Sequence, residues 1–259
     1  MRTRALLPIV VITSFLMSCD SGSKKLILRD IPRSQRQGLM VLNFTNNTLK
    51  SRAEEFKPWE FGLASMVMTD IEAIGLFNII SRERLKDVVS QQEFQLTGMV
   101  DPQKAVKLGK ILAARYILTG SFMEMGGVIR IESQVISVET GAQLGGASVN
   151  GKTETFFELQ KDLVLKVAKF LNVMLAEEEK ALLAKNVETK SVKASLSNYR
   201  GEIELMKSEA LKDAGQTDEA KRVQERAKQD FQKALQYDPN YERARENLSR
   251  ISLAIPTTL

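Results

Sequence analysis

Cys19 is the only cysteine among 259 residues, and the chain contains no histidine. Those two counts settle much of the chemistry open to it. Without imidazole, the commonest general base and metal ligand is missing. A single thiol has no intramolecular disulfide partner. No G-x-S-x-G elbow, Walker loop or paired-glycine dinucleotide fingerprint occurs. The glycine-rich stretch 141–146 lies in a strand meander rather than before a helix, and reads as a turn or bulge. Arg82-Glu83-Arg84 gathers charge like an active site, but such groups in the first turn of a surface helix are usually solvated. The chain has 32 Asp and Glu side chains, which leaves a carboxylate-only enzyme, such as a glycan hydrolase, as a reading; yet no pair sits at evident strand ends. The sequence therefore predicts a protein that is not an enzyme, with no catalytic residue, no metal site and no cofactor.

What remains is the chemistry of the thiol itself. Arg2 and Arg4 precede an apolar run from Ala5 to Met17, and small Ser18 stands directly before Cys19. A charged start, a hydrophobic middle and a small residue at the cut make a signal peptide over 1–18. At ~1.5 Å per residue, that run falls short of a ~30 Å hydrocarbon core. Leu16-Met17-Ser18-Cys19 resembles a bacterial lipobox, which implies cleavage before Cys19 and acylation of its thiol, palmitate being a typical acyl group. A plain secretory signal or a buried thiol is the alternative. Two acyl chains suffice for stable anchoring, and no later stretch is long and apolar enough to span a membrane. Asp20 resembles the inner-membrane retention signal of enteric bacteria. The rule varies among bacteria, so the expected location is the periplasmic face of the envelope, with the outer membrane preferred to the inner.

Residues 19–38 read as an acylated tether carrying Lys24, Lys25, Arg29, Arg33 and Arg36 against Asp20 and Asp30. It would serve as a solvated spacer, or touch anionic head groups beside the anchor. Loss of Arg2 and Arg4 from 37 basic residues leaves a mature charge of about +3 against 32 acidic ones, too mild to imply nucleic acid. With 43% hydrophobic residues the chain can bury one or two cores without disulfides.

The run 39–44 is a buried strand ending at Asn46-Asn47. Pro58 opens a helix whose Leu63, Met66, Val67, Ile71 and Ile74 share a face, stopped by Gly75. A second strand covers 77–80. Ser81 caps a helix over 82–92 that buries Leu85, Val88 and Val89. Asp101-Pro102 starts another, running through Ala113. Three strands follow, with hairpin signals at Gly126-Gly127 and Thr140-Gly141. A helix from about Thr155 turns Phe156, Leu159, Leu163, Val164, Val167 and Leu171 inward. The order predicts an α/β (α+β) fold, a mixed sheet covered by helices.

Val41-Leu42-Asn43-Phe44, Phe77-Asn78-Ile79-Ile80-Ser81-Arg82-Glu83-Arg84-Leu85, the run from Lys107 to Ser121, and Val138-Glu139-Thr140-Gly141 follow one another at the spacing of the CsgG-like family, which this chain resembles over 39–172. The resemblance implies an α/β domain like that of the lipoprotein exporting curli subunits and of periplasmic relatives in flagellar and cell-wall assembly. The curli exporter builds its barrel from long hairpins inserted in the meander and before the last helix. Here those positions hold only residues 123–128 and 149–154. A spanning hairpin needs two strands of about 9 to 11 residues, so the resemblance extends to the soluble domain and not to the pore.

Residues 172–186 are expected to continue as helix and the polar stretch 187–197 to form a linker or a frayed helix end, with 173–195 as the connection between domains. Over 196–259, Ala227, Phe231, Ala234 and Pro239 stand at the spacing of a tetratricopeptide repeat's second helix. Ala244 with Asn247-Leu248 is similar to the next repeat's opening. The first helix is expected over 196–214. One such unit leaves a face uncovered, so it must pack on the first domain, self-associate or hold a partner; a plain helical lid is equally compatible.

The partner candidates are Trp59 and Phe61 near Phe56, as an exposed aromatic patch, with core packing as the alternative reading for them, and Phe231 and Tyr237 in the helical tail. The expected role is a non-enzymatic, membrane-anchored scaffold or accessory factor in assembly or secretion of envelope or surface structures. Its partners would be the membrane, through lipid, and envelope or secretion proteins, with a homo-oligomer as a further possibility. A subunit of an outer-membrane export channel is the alternative.

Overall fold

The computed structural model describes residues 27–85 and 102–253. They form a six-stranded mixed sheet: β1 (Gln37–Val41), β2 (Thr45–Asn46), β3 (Phe77–Ile79), β4 (Tyr116–Met125), β5 (Val128–Ser137) and β6 (Gln143–Lys152). The order is β3-β1-β4-β5-β6, with β2 pairing β4. β1 runs parallel to β3 and β4, and the last three strands form the predicted antiparallel meander. Gly126 and Gly127 both take positive φ in the two-residue β4–β5 turn, the backbone that matches strand twist in a tight hairpin. The glycine-rich stretch opens β6, where the register against β5 shifts beside Leu144, so the expected bulge is present.

Alternation along β1 splits its side chains between two cores. Leu39 and Val41 join Leu118, Phe122, Ile131 and Val149 beneath two helices, α2 (Pro58–Ile74) and, further along the chain, Phe156–Phe170. Met40 and Leu42, facing the other way, meet Ile117, Ile136, Leu108 and Leu112; Leu108 belongs to α3 (Pro102–Ile111). The helix Phe156–Phe170 is α4. Trp59 of α2 stacks on Phe156 of α4 at 3.6 Å between ring centroids and 8° between planes, joining the two covering helices.

One element is added to the sequence reading and three expectations are corrected. A helix, α1 (Lys50–Phe56), precedes Pro58; only Phe56 of it is buried, so it has no apolar periodicity to announce it. The expected continuous helix over 172–186 is broken, because Asn172 takes φ 56° and ends the turn after α4. Helix resumes as α5 (Glu177–Lys185), whose Glu179 carboxylate accepts the Ala176 N–H. The tail's first helix, α6 (Val192–Asp213), starts earlier than expected, with Ser191 accepting from the Ala194 N–H at its cap.

The third correction concerns the tether. Leu28 and Arg29 are docked on the body rather than free, while residues 32–35 are exposed. Leu28 packs against the core, and its N–H donates to Ala73 O at 2.7 Å. Arg29 makes a two-pronged pair with Glu179, both bonds 2.8 Å, and donates to Met174 O. Gly75, with φ 81°, lets the chain pass: a Cβ there would lie 1.7 Å from Arg29 O. Cys19, Asp20, Lys24, Lys25 and the signal segment lie outside the described residues, as do Val88 and Val89 of the helix expected over 82–92.

The opposite end of α2 adjoins the β4–β5 hairpin. Phe44 N–H donates to Glu60 O, Asn47 N–H donates to Phe122 O, and Arg52 pairs with buried Glu124 at 2.6 Å. Around this tip Leu49, Met125 and Val128 are exposed.

The tail is completed by α7 (Thr217–Tyr237) and α8 (Glu242–Leu253). Ala220, Ala227 and Ala234 are fully buried along α7, a seven-residue spacing that brings the same face round at each step. Phe231 fills the space against Gly201 of α6.

Candidate partner-binding cleft

The tail packs on α2, and small residues permit the approach. A Cβ at Gly62 would stand 2.4 Å from Cδ2 of Tyr199, so the fully buried tyrosine ring lies on glycine backbone. One turn away, the Trp59 indole N–H donates to Ser195 Oγ at 3.1 Å. The two bodies then diverge. Between α2, presenting Phe61, Ser65, Thr69 and Ala73, and the facing sides of α6 and α8 opens a cleft of about 870 Å³.

Arg243 latches this junction from α8. It is bidentate to Glu202 (Nε to Oε1 2.7 Å, Nη2 to Oε2 3.0 Å) and reaches Glu188 Oε1 at 3.0 Å and Ser65 Oγ at 3.1 Å. Its guanidinium lies 5.1 Å from the Tyr199 ring centroid. Glu188 Oε2 accepts from the hydroxyls of Tyr199 and Tyr241, and Glu202 Oε1 accepts from Asn198 and Asn247. Burial opposes the Arg243 charge, but Tyr199, Glu202 and Glu188 outweigh it and raise its pKa above the ordinary value. Burial likewise pushes both tyrosine hydroxyls up, keeping them neutral donors. With carboxylates and donors engaged with one another, the cluster holds helices together and offers no free nucleophile–base pair.

A second buried pair ties α4 to α2 and the following linker. Lys161 Nζ stands 2.6 and 2.7 Å from the Asp70 oxygens and donates to Asn186 O. Gln160 and Asn186 side chains also donate to Asp70. Burial pushes the Asp70 carboxyl up, against the pull of Lys161.

Arg82 lines the cleft from the opposite side. It donates to Asn43 Oδ1 at 2.8 Å and Phe61 O at 3.2 Å, and lies 4.0 Å over the Phe61 ring. Burial lowers its pKa to about 10 while Glu202 works against that, so it stays charged at neutral pH. The expectation of solvated charges holds for exposed Glu83 and Arg84 but fails for Arg82, folded onto an aromatic ring.

The sequence-derived partner residues fare unevenly. Trp59 and Phe231 are fully buried and Phe61 nearly so. An exposed patch of Phe56, Trp59 and Phe61 is therefore absent, because Trp59 is stacked in the main core; only Phe61 borders the cleft. Tyr237 is exposed, with Lys193 Nζ 5.8 Å from its ring centroid. Arg243, Glu188 and Glu202 were missed: only docking of the tail brings 65, 188, 202 and 243 together, and no local spacing signals that. Among the described residues there is no acidic, histidine or cysteine cluster able to hold a metal, and no helix long and apolar enough to cross a membrane. The two positions read as too short for membrane hairpins, 123–128 and 149–154, hold the Gly126-Gly127 turn and a direct run from β6 into the short turn Thr153–Thr155.

A family model described as curli production assembly/transport component CsgG matches residues 21–156. No curated protein matches the chain. Solved structures similar to it include the LpoB C-terminal domain from Salmonella enterica, 17% identical, covering 45% of this chain and 83% of that one, at a TM-score of 0.37. A PelC dodecamer from Paraburkholderia phytofirmans is 18% identical over 56% of this chain and 94% of its own, TM-score 0.35. Lipoprotein GNA1162 from Neisseria meningitidis is 13% identical over 51% and 96%, TM-score 0.37.

Proposed function

This chain belongs to the CsgG family, and from that premise we propose that it is a non-enzymatic envelope lipoprotein that presents a partner-binding body from a membrane. Cys19 carries the lipid, residues 1–18 are the signal removed before it, and the outer membrane is the preferred site. The tetratricopeptide-like tail, packed on the α/β domain, completes a surface for proteins that assemble or secrete envelope structures.

The observation that carries this reading is that α2 holds both the N-terminal segment and the cleft. The chain arriving from Cys19 is pinned at Ala73 and Gly75, while the tail leaves an open cleft along the helix from Phe61 to Ala73. The segment from Leu28 and the cleft are thus both held on α2. The saturated bonding of Arg243, Glu188 and Glu202 fits a scaffold better than an enzyme. A channel subunit is the weaker reading, since tight turns occupy the positions where pore strands would be inserted.

The test is cross-linking pull-down from membranes of cells expressing the native chain or Cys19→Ala. A defined envelope protein recovered with the native chain and lost or redistributed with the variant supports the proposal. Identical membrane fractionation of the two chains would refute the anchor. Recovery of the native chain only as a large homo-oligomer would favour the channel.

A further inference from the structure

The charge of the cleft is opposite to that of the chain. The whole sequence carries a formal +5, yet six carboxylates and three guanidiniums line the cleft. Arg243 is neutralised by Glu188 and Glu202. That leaves Glu83, Glu209, Glu242 and Glu246 against Arg82 and Arg250, and all four of those carboxylates are exposed.

Their spacing aims them together. On α6, Glu202, Leu205, Met206 and Glu209 recur at three, four and seven residues, one helical face. On α8, Glu242 and Glu246 stand one turn apart at the cleft. Between the charges lie apolar contacts: exposed Met206 and half-buried Leu205. A methionine at a binding surface adapts to varied shapes. Along α2 the cleft runs from Phe61 to Ala73, about 18 Å at helical rise. An extended segment of five or six residues at ~3.3 Å each fills that length.

We infer that the cleft takes a cationic peptide segment with interspersed apolar side chains, supplied by a partner protein. Lysine or arginine side chains of the segment pair with Glu209, Glu242 and Glu246, and its apolar residues lie on Met206 and Leu205. The inference rests on the scaffold reading and names the chemistry of what the scaffold holds. Like-charged segments are repelled by the same carboxylates, so the acidic lining selects against acidic partners.

Binding in solution separates this inference from the membrane anchor. The full chain, purified from membranes in nonionic detergent, is titrated against a fluorescein-labelled peptide of alternating lysine and leucine, eight residues long, and against its glutamate–leucine counterpart, with anisotropy as readout. The lysine peptide should bind at least roughly tenfold more tightly than the glutamate peptide, and more weakly as salt rises. Charge reversal by Glu209→Lys with Glu246→Lys should weaken it by about tenfold or more, with an unchanged thermal melt because both side chains are exposed. Reversal at exposed Glu154 and Glu158, outside the cleft, should leave the affinity unaltered. No binding of the lysine peptide, equal binding by the Glu209/Glu246 variant, or equal binding of the acidic peptide would each overturn the inference. Failure of Cys19→Ala to redistribute would refute the anchor while leaving this result standing.

Discussion

Trp59 and Ser195 are 136 residues apart in sequence and share a buried hydrogen bond, indole N–H to hydroxyl oxygen at 3.1 Å. The bond joins the helix that covers the sheet to the first helix of the tail, and Ser195 is completely buried. Ser195→Ala leaves the indole N–H without an acceptor in a dry interface, a cost of ~1–3 kcal/mol. Thermal unfolding by circular dichroism should show a lower midpoint, with near-ultraviolet signal from the single tryptophan altered before the main transition. An unchanged melt would mean that the tail is not docked through this contact.

Gly62→Ala gives a sharper test, because the expected sign is reversed by the structure. Within an exposed helix, glycine to alanine stabilises by ~0.5–1 kcal/mol. Here the new methyl would meet the Tyr199 ring at 2.4 Å, and overpacking of this kind costs ~1–3 kcal/mol. Urea denaturation should therefore show a net loss. A gain would place the tail elsewhere.

Arg243→Ala removes the cation shared by Glu188 and Glu202. The stranded carboxylates, of which Glu202 is the more buried, make a loss of up to about 3 kcal/mol. Arg243→Lys should recover only part of it, since lysine keeps the charge but not the two-pronged geometry. Chemical denaturation of the three chains side by side measures both differences.

The clamp on the N-terminal segment is pH-dependent. The hydrogen bonds from Arg29, and then the Ala176 N–H, hold Glu179 at about 2, below its ordinary 4.5. A depressed carboxyl pKa stabilises above the unfolded value and loses that contribution as pH falls through the folded one. The clamp should be intact above about pH 4.5 and released on the way to pH 2. Hydrogen exchange of the Leu28 amide, bonded to Ala73 O, reads it directly against the Leu42 amide in the sheet. Glu179→Gln should flatten the dependence, and a profile unchanged by that substitution would exclude this pair as its origin.

Much of the sheet was legible because its signals are local. Alternation along β4 to β6 and the turn signals Gly126-Gly127 and Thr140-Gly141 specify the meander, and Pro58 and Gly75 mark the ends of α2. Where local signals conflict with tertiary demands, the reading fails. Asn172 looks like one more polar helix residue but takes a left-handed backbone. The basic stretch before β1 looks like spacer, yet Leu28 and Arg29 find partners about 45 and 150 positions away. The aromatic candidates shared a compositional clue, and packing divided them, sending Trp59 inward and leaving Tyr237 out. The latch around Arg243 depends on four distant segments meeting, which no window of sequence displays.

The docking of residues 27 onward also sets the length of the leash. On the proposed attachment at Cys19, nine residue-to-residue steps separate the lipid-bearing cysteine from Leu28, no more than about 32 Å at full stretch. On that attachment the body would be held within a thin layer over its membrane. On the same attachment the Gly75 end of α2 would lie nearer the lipid than the Met125 and Val128 tip, which adjoins the other end of this ~25 Å helix.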